Sequence, residues 1–204
     1  MLDLAAGTGK LTRSLRASGA RVVAVEPLPE LRARLDADEV LAGTAEAIPL
    51  ADGAVDLVTV GDAWHWFDWA RAAAELARVV RPGGAAALLW QTPGPDRAPG
   101  WRRDVGRLLR GMRGDHPNFR DDQGRPALDA HPAFDGLREH TAPFTWRPGE
   151  EELLDCVCSF SFIGAMDDSG RAAVREQVRA LLPGGPLEWP YETRVWTTRR
   201  RVRT

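Results

Sequence analysis

Near its start the chain reads Leu2-Asp3-Leu4-Ala5-Ala6-Gly7-Thr8-Gly9-Lys10, a short apolar run that breaks into a glycine-rich turn. A ligand that approaches backbone at such a turn needs residues without Cβ, because a side chain would hold it off. The helix expected next aims its free N–H groups and positive dipole end at the same place, which suits a carboxylate or phosphate. Taken alone, the turn also reads as a tight connection and nothing more. Glu26 sharpens the reading. It closes the β-branched run 21–26, 17 residues beyond Gly9. In an open α/β sheet the carboxyl ends of adjacent strands line one crevice. A carboxylate there can accept two hydrogen bonds from a ribose diol, so turn and acid together point to a nucleoside-containing ligand. A dinucleotide fingerprint needs Gly-x-Gly-x-x-Gly; Thr12 at the third position weakens that version.

The elements that must position these residues alternate. Leu11 and Leu15 share a helix face, and Gly19 sits where a helix C-cap belongs. Residues 21–26 predict a buried strand. Pro27 is expected to open a helix carrying Leu28, Leu31 and Leu35. Val55 to Val60 predicts the next strand, Ala70 to Val80 a helix stopped by Pro82-Gly83-Gly84, and Ala85 to Trp90 another strand. Such alternation implies βαβ crossovers and a parallel sheet with helices on both faces. Residues 92–135 predict an irregular insertion around one helix near Val105 to Met112. Phe144 to Trp146 reads as a strand end, Glu150 to Phe162 and Gly170 to Leu182 as helices, and Pro190 to Arg199 as a final strand.

With 204 residues, 44% hydrophobic and 27% charged, the chain has a globular composition that excludes a disordered or fibrous class. A net charge of −2 supplies no field to draw it onto nucleic acid. No apolar run approaches the roughly 18 residues a membrane helix needs, and the start lacks a signal peptide's order of regions. Two cysteines, Cys156 and Cys158, make no disulfide framework and have no companion cluster with zinc spacing, so no metal site is expected. These features predict a soluble cytoplasmic protein, its oligomeric state left open. The run Arg199-Arg200-Arg201-Val202-Arg203 reads as a solvated tail, and His116, His131 and His140 as loop histidines.

Taken jointly, the motifs resemble the class I S-adenosylmethionine-dependent methyltransferases. Leu2 to Gly9 is similar to their first motif, and Val22 to Pro27 to their second strand with its ribose-binding acid. Gly43 to Pro49 followed by Val55 to Val58 resembles the adenine-side loop and fourth strand. Ala63-Trp64-His65-Trp66-Phe67-Asp68 resembles the segment after that strand in the small-molecule, ubiquinone/menaquinone-biosynthesis-like type. Leu76 to Gly84 and the segments Leu154 to Ser161 and Pro190 to Trp196 extend the likeness along most of the chain.

The resemblance implies S-adenosyl-L-methionine as cofactor and a role for each matched residue. Asp3 holds the ligand's ammonium, directly or through water. Gly7 and Gly9 allow backbone approach to its methionine portion, and Glu26 takes both ribose hydroxyls. Ala5 stands where the family often has glycine. Thr44 stands where many members have an aspartate facing the adenine amine, so the adenine contact shifts to backbone groups of Ala45 and Glu46. Asp62 lines the pocket near the sulfonium. His65, at the expected active-site mouth, either packs or contacts the acceptor as a general base. Trp64, Trp66, Phe67 and Trp69 either wall an acceptor pocket or pack on the sheet.

The fold expected is a doubly wound, Rossmann-like α/β sheet, mostly parallel with an antiparallel last strand. It forms a single methyltransferase domain over residues 1–204, with 1–91 the cofactor-binding half and 92–204 the acceptor-side insertion, helices and last strands. The activity expected is methyl transfer to a small-molecule acceptor. Two rivals stand beside it: a non-catalytic nucleoside-binding remnant or regulatory subunit on the same fold, and an NAD-dependent oxidoreductase, against which Thr12 and the segment 43–49 argue. Members of the family normally carry residues upstream of the first motif, where Met1 falls. The resemblance therefore also implies an N-terminally truncated or mis-started chain.

Overall fold

The computed structural model describes residues 1–93, 100–113 and 124–202. In chain order the first elements are β1 (Leu2–Leu4), α1 (Lys10–Ala17), β2 (Val23–Val25), α2 (Pro29–Arg32) and β3 (Glu39–Leu41). Next come β4 (Val55–Gly61), α3 (Trp69–Val79), β5 (Val80–Pro93), α4 (Trp101–Met112) and α5 (Arg125–Asp129). The remainder is β6 (Arg138–Trp146), α6 (Glu150–Cys158), α7 (Ser161–Gly164), α8 (Asp168–Arg179) and β7 (Trp189–Arg199). The strands lie in the order β3-β2-β1-β4-β5-β7-β6. β1 pairs in parallel with both β2 and β4, β2 with β3, and β4 with β5; the last strands are antiparallel. This is the doubly wound, Rossmann-like α/β sheet. The chain builds outward from β1 through β2 and β3, then returns to place β4 on the other side of β1. Sheets of this kind bind ligands beyond the carboxyl ends of their strands at that reversal.

The chain divides into two compact units. One comprises Met1–Trp90, Arg120–Thr141 and Arg194–Thr204. Its core gathers Leu2 and Leu4 of β1, Val58 and Val60 of β4, Leu76 of α3 and Leu88 of β5, with Leu128 and Phe134. β1 is buried along its whole length, as expected for a strand covered on both faces. The other unit comprises Gln91–Phe119 and Ala142–Thr193. Its core joins Val105 of α4, Leu153, Leu154 and Val157 of α6, and Val174 and Val178 of α8 with Trp189. Arg175 pairs with Asp155 at 2.6 Å and Arg179 with Glu150 at 2.9 Å across α6 and α8. The acidic partners are exposed, so this helix pair rests mainly on its apolar contacts.

Several local expectations need correction. The helix after β2 opens at Pro29, not Pro27, and lasts four residues; Leu35 lies outside it and Leu28 is exposed. β3 was not foreseen. The segment 150–162 is not one helix. It breaks at Ser159, so Phe160 and Phe162, which one helix would turn apart, bring their rings to 6.0 Å. His140 lies on β6 rather than in a loop. β5 begins at Val80, ahead of the Pro82-Gly83-Gly84 turn, and its register against β4 shifts between Val55 and Leu57. His116 and Arg203 lie outside the described residues. Among the described residues no helix is long and apolar enough to cross a membrane.

Candidate active site

Asp3 sits between two core leucines on β1, so strand alternation turns its side chain to the opposite face. There it meets α1. The Thr12 hydroxyl donates to Asp3 Oδ2 at 2.6 Å, and both residues are buried, 1% and 0% exposed. Among the described residues Asp3 has no cationic partner. Burial pushes its carboxyl up to about 6, although hydrogen bonds from Thr12 pull the other way.

Beyond β1 the chain turns through Ala5, Gly7 and Gly9, all at positive φ (56°, 57° and 79°). Among the described residues, chain neighbours aside, a Cβ on Gly7 would meet nothing within 4 Å, so the turn leaves an open cradle there. Gly9 caps α1 and its N–H donates to the Ala6 carbonyl at 2.9 Å. The Gly7 N–H donates to Glu26 Oε2 at 2.9 Å, and the Leu28 N–H to Oε1 at 3.0 Å. Glu26 is 4% exposed and sits one residue past β2, which pairs with β1. The structure thus joins the turn and the acid that the sequence singled out.

After β3, residues 44–47 form a small bend in which Thr44 bridges Ala47. Ala45 is buried, and Glu46 Oε1 accepts the Asp68 N–H at 2.9 Å. Its carboxylate is therefore engaged at the start of α3. A clamp that the sequence reading missed holds the rest of this loop. Arg78 donates to the Ile48 and Leu50 carbonyls at 2.8 and 2.6 Å and to Glu75 Oε1 at 2.7 Å. Glu75 Oε2 accepts the Ile48 N–H at 2.7 Å. The paired guanidinium holds the Glu75 carboxyl below its ordinary range.

Asp62 follows β4 at φ 50°, a left-handed conformation that L-residues other than asparagine and aspartate seldom adopt. Its N–H donates to the Leu89 carbonyl at 2.9 Å. Left-handed backbone therefore stands at the carboxyl ends of both β1 and β4, the strands that flank the reversal. His65 lies on a short 3-10 turn, Trp64–Trp66, and is 4% exposed. Its ring packs 5.0 Å from Trp90 and 5.1 Å from Trp66. Trp64 is buried against Phe67, and the Trp69 indole N–H donates to the Trp64 carbonyl at 3.0 Å. Trp66 is 53% exposed.

Thr12 was read only as a missing glycine. The signal that could have marked it is a hydroxyl residue beside Leu11 on the face of α1 expected to be buried, nine residues after an acid on a core strand. Glu75 and Arg78 carried only the ordinary signature of an i,i+3 surface pair.

The family model of a methyltransferase domain matches residues 2–88. Uncharacterized methyltransferases of Mycobacterium bovis and Mycobacterium tuberculosis are each 42% identical over 204 residues, an overlap of 95% of this chain and 80% of theirs. A malonyl-[acyl-carrier protein] O-methyltransferase of Enterobacter lignolyticus is 32% identical over 195 residues, covering 93% of this chain and 74% of its own. A solved structure from Anaeromyxobacter dehalogenans, assigned as a type II methyltransferase, aligns with a TM-score of 0.67. It covers 99% of this chain and 90% of that one at 23% identity, a likeness of fold.

Proposed function

Because the chain belongs to the class I S-adenosylmethionine-dependent methyltransferases, we propose that it transfers the methyl group to a small-molecule acceptor. One observation carries the placement of the site. Asp3, a buried acid with no cationic partner among the described residues, and Glu26, an acid bonded to an open glycine turn, stand at neighbouring strands beside the sheet's reversal. When bound, S-adenosylmethionine supplies a methyl group on positively charged sulfur, which is a good leaving group.

The chain's own residues bind and orient. Asp3 takes the ammonium, which supplies the charge its burial lacks. Ala5, Gly7 and Gly9 let backbone approach the methionine portion; the open space over Gly7 fits that use. Glu26, its oxygens fixed by the Gly7 and Leu28 N–H groups, keeps further lone pairs for the ribose hydroxyls. Thr44 and the backbone of Ala45 and Glu46 line the adenine. Asp62 lines the sulfonium side, and His65 stands toward the acceptor. Alignment of this kind contributes roughly 7–11 kcal/mol of barrier lowering, so a strong base is not a requirement.

A carboxylate acceptor tethered to a carrier protein is a second reading, favoured by the Enterobacter lignolyticus relative. Calorimetry with S-adenosylhomocysteine and NAD, followed by transfer of labelled methyl to free carboxylic acids, phenols, amines and a malonyl carrier protein, tests these readings together. Tight NAD binding refutes the cofactor assignment. Binding of S-adenosylhomocysteine without transfer to any acceptor favours a non-catalytic nucleoside-binding protein.

A further inference from the structure

We propose that Thr12 is a positioning residue for the cofactor: its hydroxyl fixes the buried Asp3 carboxylate so that its remaining lone pairs receive the ligand's ammonium. The proposal rests on the cofactor reading above.

A carboxylate taken out of water must be compensated by hydrogen bonds or by an opposite charge. Asp3 is 1% exposed, and among the described residues no cation of the chain faces it. The described residues therefore leave the balancing charge to a ligand. A ligand carrying an ammonium beside an adenosine meets that need at the strand end where Glu26 and the glycine turn already stand. What the chain supplies is orientation. Thr12 is fully buried and its hydroxyl donates to Oδ2 at 2.6 Å, with its backbone N–H a second donor to the same carboxylate. A carboxylate has about four lone-pair sites, so two donors leave others for the ligand. A helical threonine commonly returns its hydroxyl to a carbonyl of the preceding turn. Here that hydroxyl crosses from α1 to β1 instead. The choice also explains why threonine, not glycine, stands at this position of α1. A third glycine would let the helix pack closer to the strand, but it would leave Asp3 without its hydroxyl donor.

The test compares two nucleosides that differ in the group Asp3 is said to hold. S-adenosylhomocysteine carries the ammonium; 5′-methylthioadenosine lacks the whole amino-acid portion. Thr12→Val keeps shape and the backbone N–H but deletes the donor. It should weaken S-adenosylhomocysteine binding at least about tenfold, the scale of a hydrogen bond to a charged group, and leave 5′-methylthioadenosine within about threefold. Thr12→Ser should bind both within about threefold of wild type. Equal weakening of both nucleosides by Thr12→Val, or weakening of neither, overturns the proposal. If Thr12→Val does not fold, Thr12→Ala is read against Thr12→Ser in the same way. Wild type that binds neither nucleoside overturns the cofactor reading and the Thr12 proposal with it. Wild type that binds both, with effects that do not discriminate, overturns the Thr12 proposal alone.

Discussion

The backbone N–H of Gly7 donates to the carboxylate of Glu26 at 2.9 Å, across 19 residues of sequence. The bond ties the turn after β1 to the end of β2 before any ligand arrives. With the Leu28 N–H on the other oxygen, it fixes the direction in which Glu26 offers its remaining lone pairs. Glu26→Ala should weaken S-adenosylhomocysteine binding by ~1.5–3 kcal/mol, about 10- to 100-fold. It should also lower the melting temperature, because two backbone donors lose their acceptor. Unchanged affinity by calorimetry refutes the ribose role.

Gly7→Ala separates conformation from contact. The φ of 57° costs a residue with Cβ ~1–2 kcal/mol, and among the described residues, chain neighbours aside, the new methyl would meet nothing within 4 Å. The expected result is a melting temperature lowered by a few degrees with cofactor binding abolished. A variant that melts lower yet binds normally would show that backbone approach at Gly7 is not needed. Ala5→Gly is the converse change, at φ 56°, and should retain binding with stability within about 1 kcal/mol of wild type.

Asp3 makes stability and binding oppose each other. Its carboxyl titrates at about 6 in the folded chain against an ordinary 3.8. The folded state therefore holds the proton more tightly than the unfolded state. That contribution to stability is full below about pH 4 and is lost as pH rises through about 6. Two units correspond to about 3 kcal/mol. Asp3→Asn should melt higher than wild type at pH 7 without ligand, and lose this part of the pH slope. The same variant should bind S-adenosylhomocysteine poorly, and wild-type affinity should fall as pH drops below about 6. Melts and titrations between pH 4 and 8 check all three.

The parts of this fold legible in the sequence were those with strong local signals. Val55 to Val60 is β-branched and bounded by Gly53 and by Gly61 and Asp62, and it folds as a central strand. Gly19 closes α1 at φ 82°, as its place after a helical face implied. Glu39 to Leu41 escaped because an edge strand half exposed to water carries a mixed pattern of three residues. Among the candidate residues, the position of Glu26 at the end of β2 was legible because the β-branched run before it marks a buried strand. Thr12 was not, because its role depends on a contact between β1 and α1 that no periodicity encodes. Arg78 was hidden for the same reason: its partners Ile48 and Leu50 come from a loop that folds back onto α3.

Arg78→Ala should cost about 2–3 kcal/mol, since it strands two carbonyls and the part-buried Glu75. Arg78→Lys should not rescue it, because an ammonium cannot span the fork of contacts that a guanidinium fills. Cofactor affinity should fall with stability, since the clamped loop carries Ala45 and Glu46. Chemical denaturation and calorimetry on both variants measure the two effects.

His65 requires two substitutions, because its ring and its nitrogens serve different ends. The ring is buried between Trp66 and Trp90, with centroids at 5.1 and 5.0 Å. His65→Ala removes that packing and should lower the melting temperature by several degrees, while cofactor affinity stays within about threefold. His65→Phe keeps an aromatic ring of similar girth and should restore most of the lost stability. Turnover of the phenylalanine variant then isolates the nitrogens. An acceptor-side group that holds or moves a proton contributes about 10²–10⁴-fold, so turnover should fall by at least the lower figure once an acceptor is in hand. A phenylalanine variant as active as wild type would assign His65 to packing alone and leave the methyl transfer to alignment by Asp3, Glu26 and Asp62.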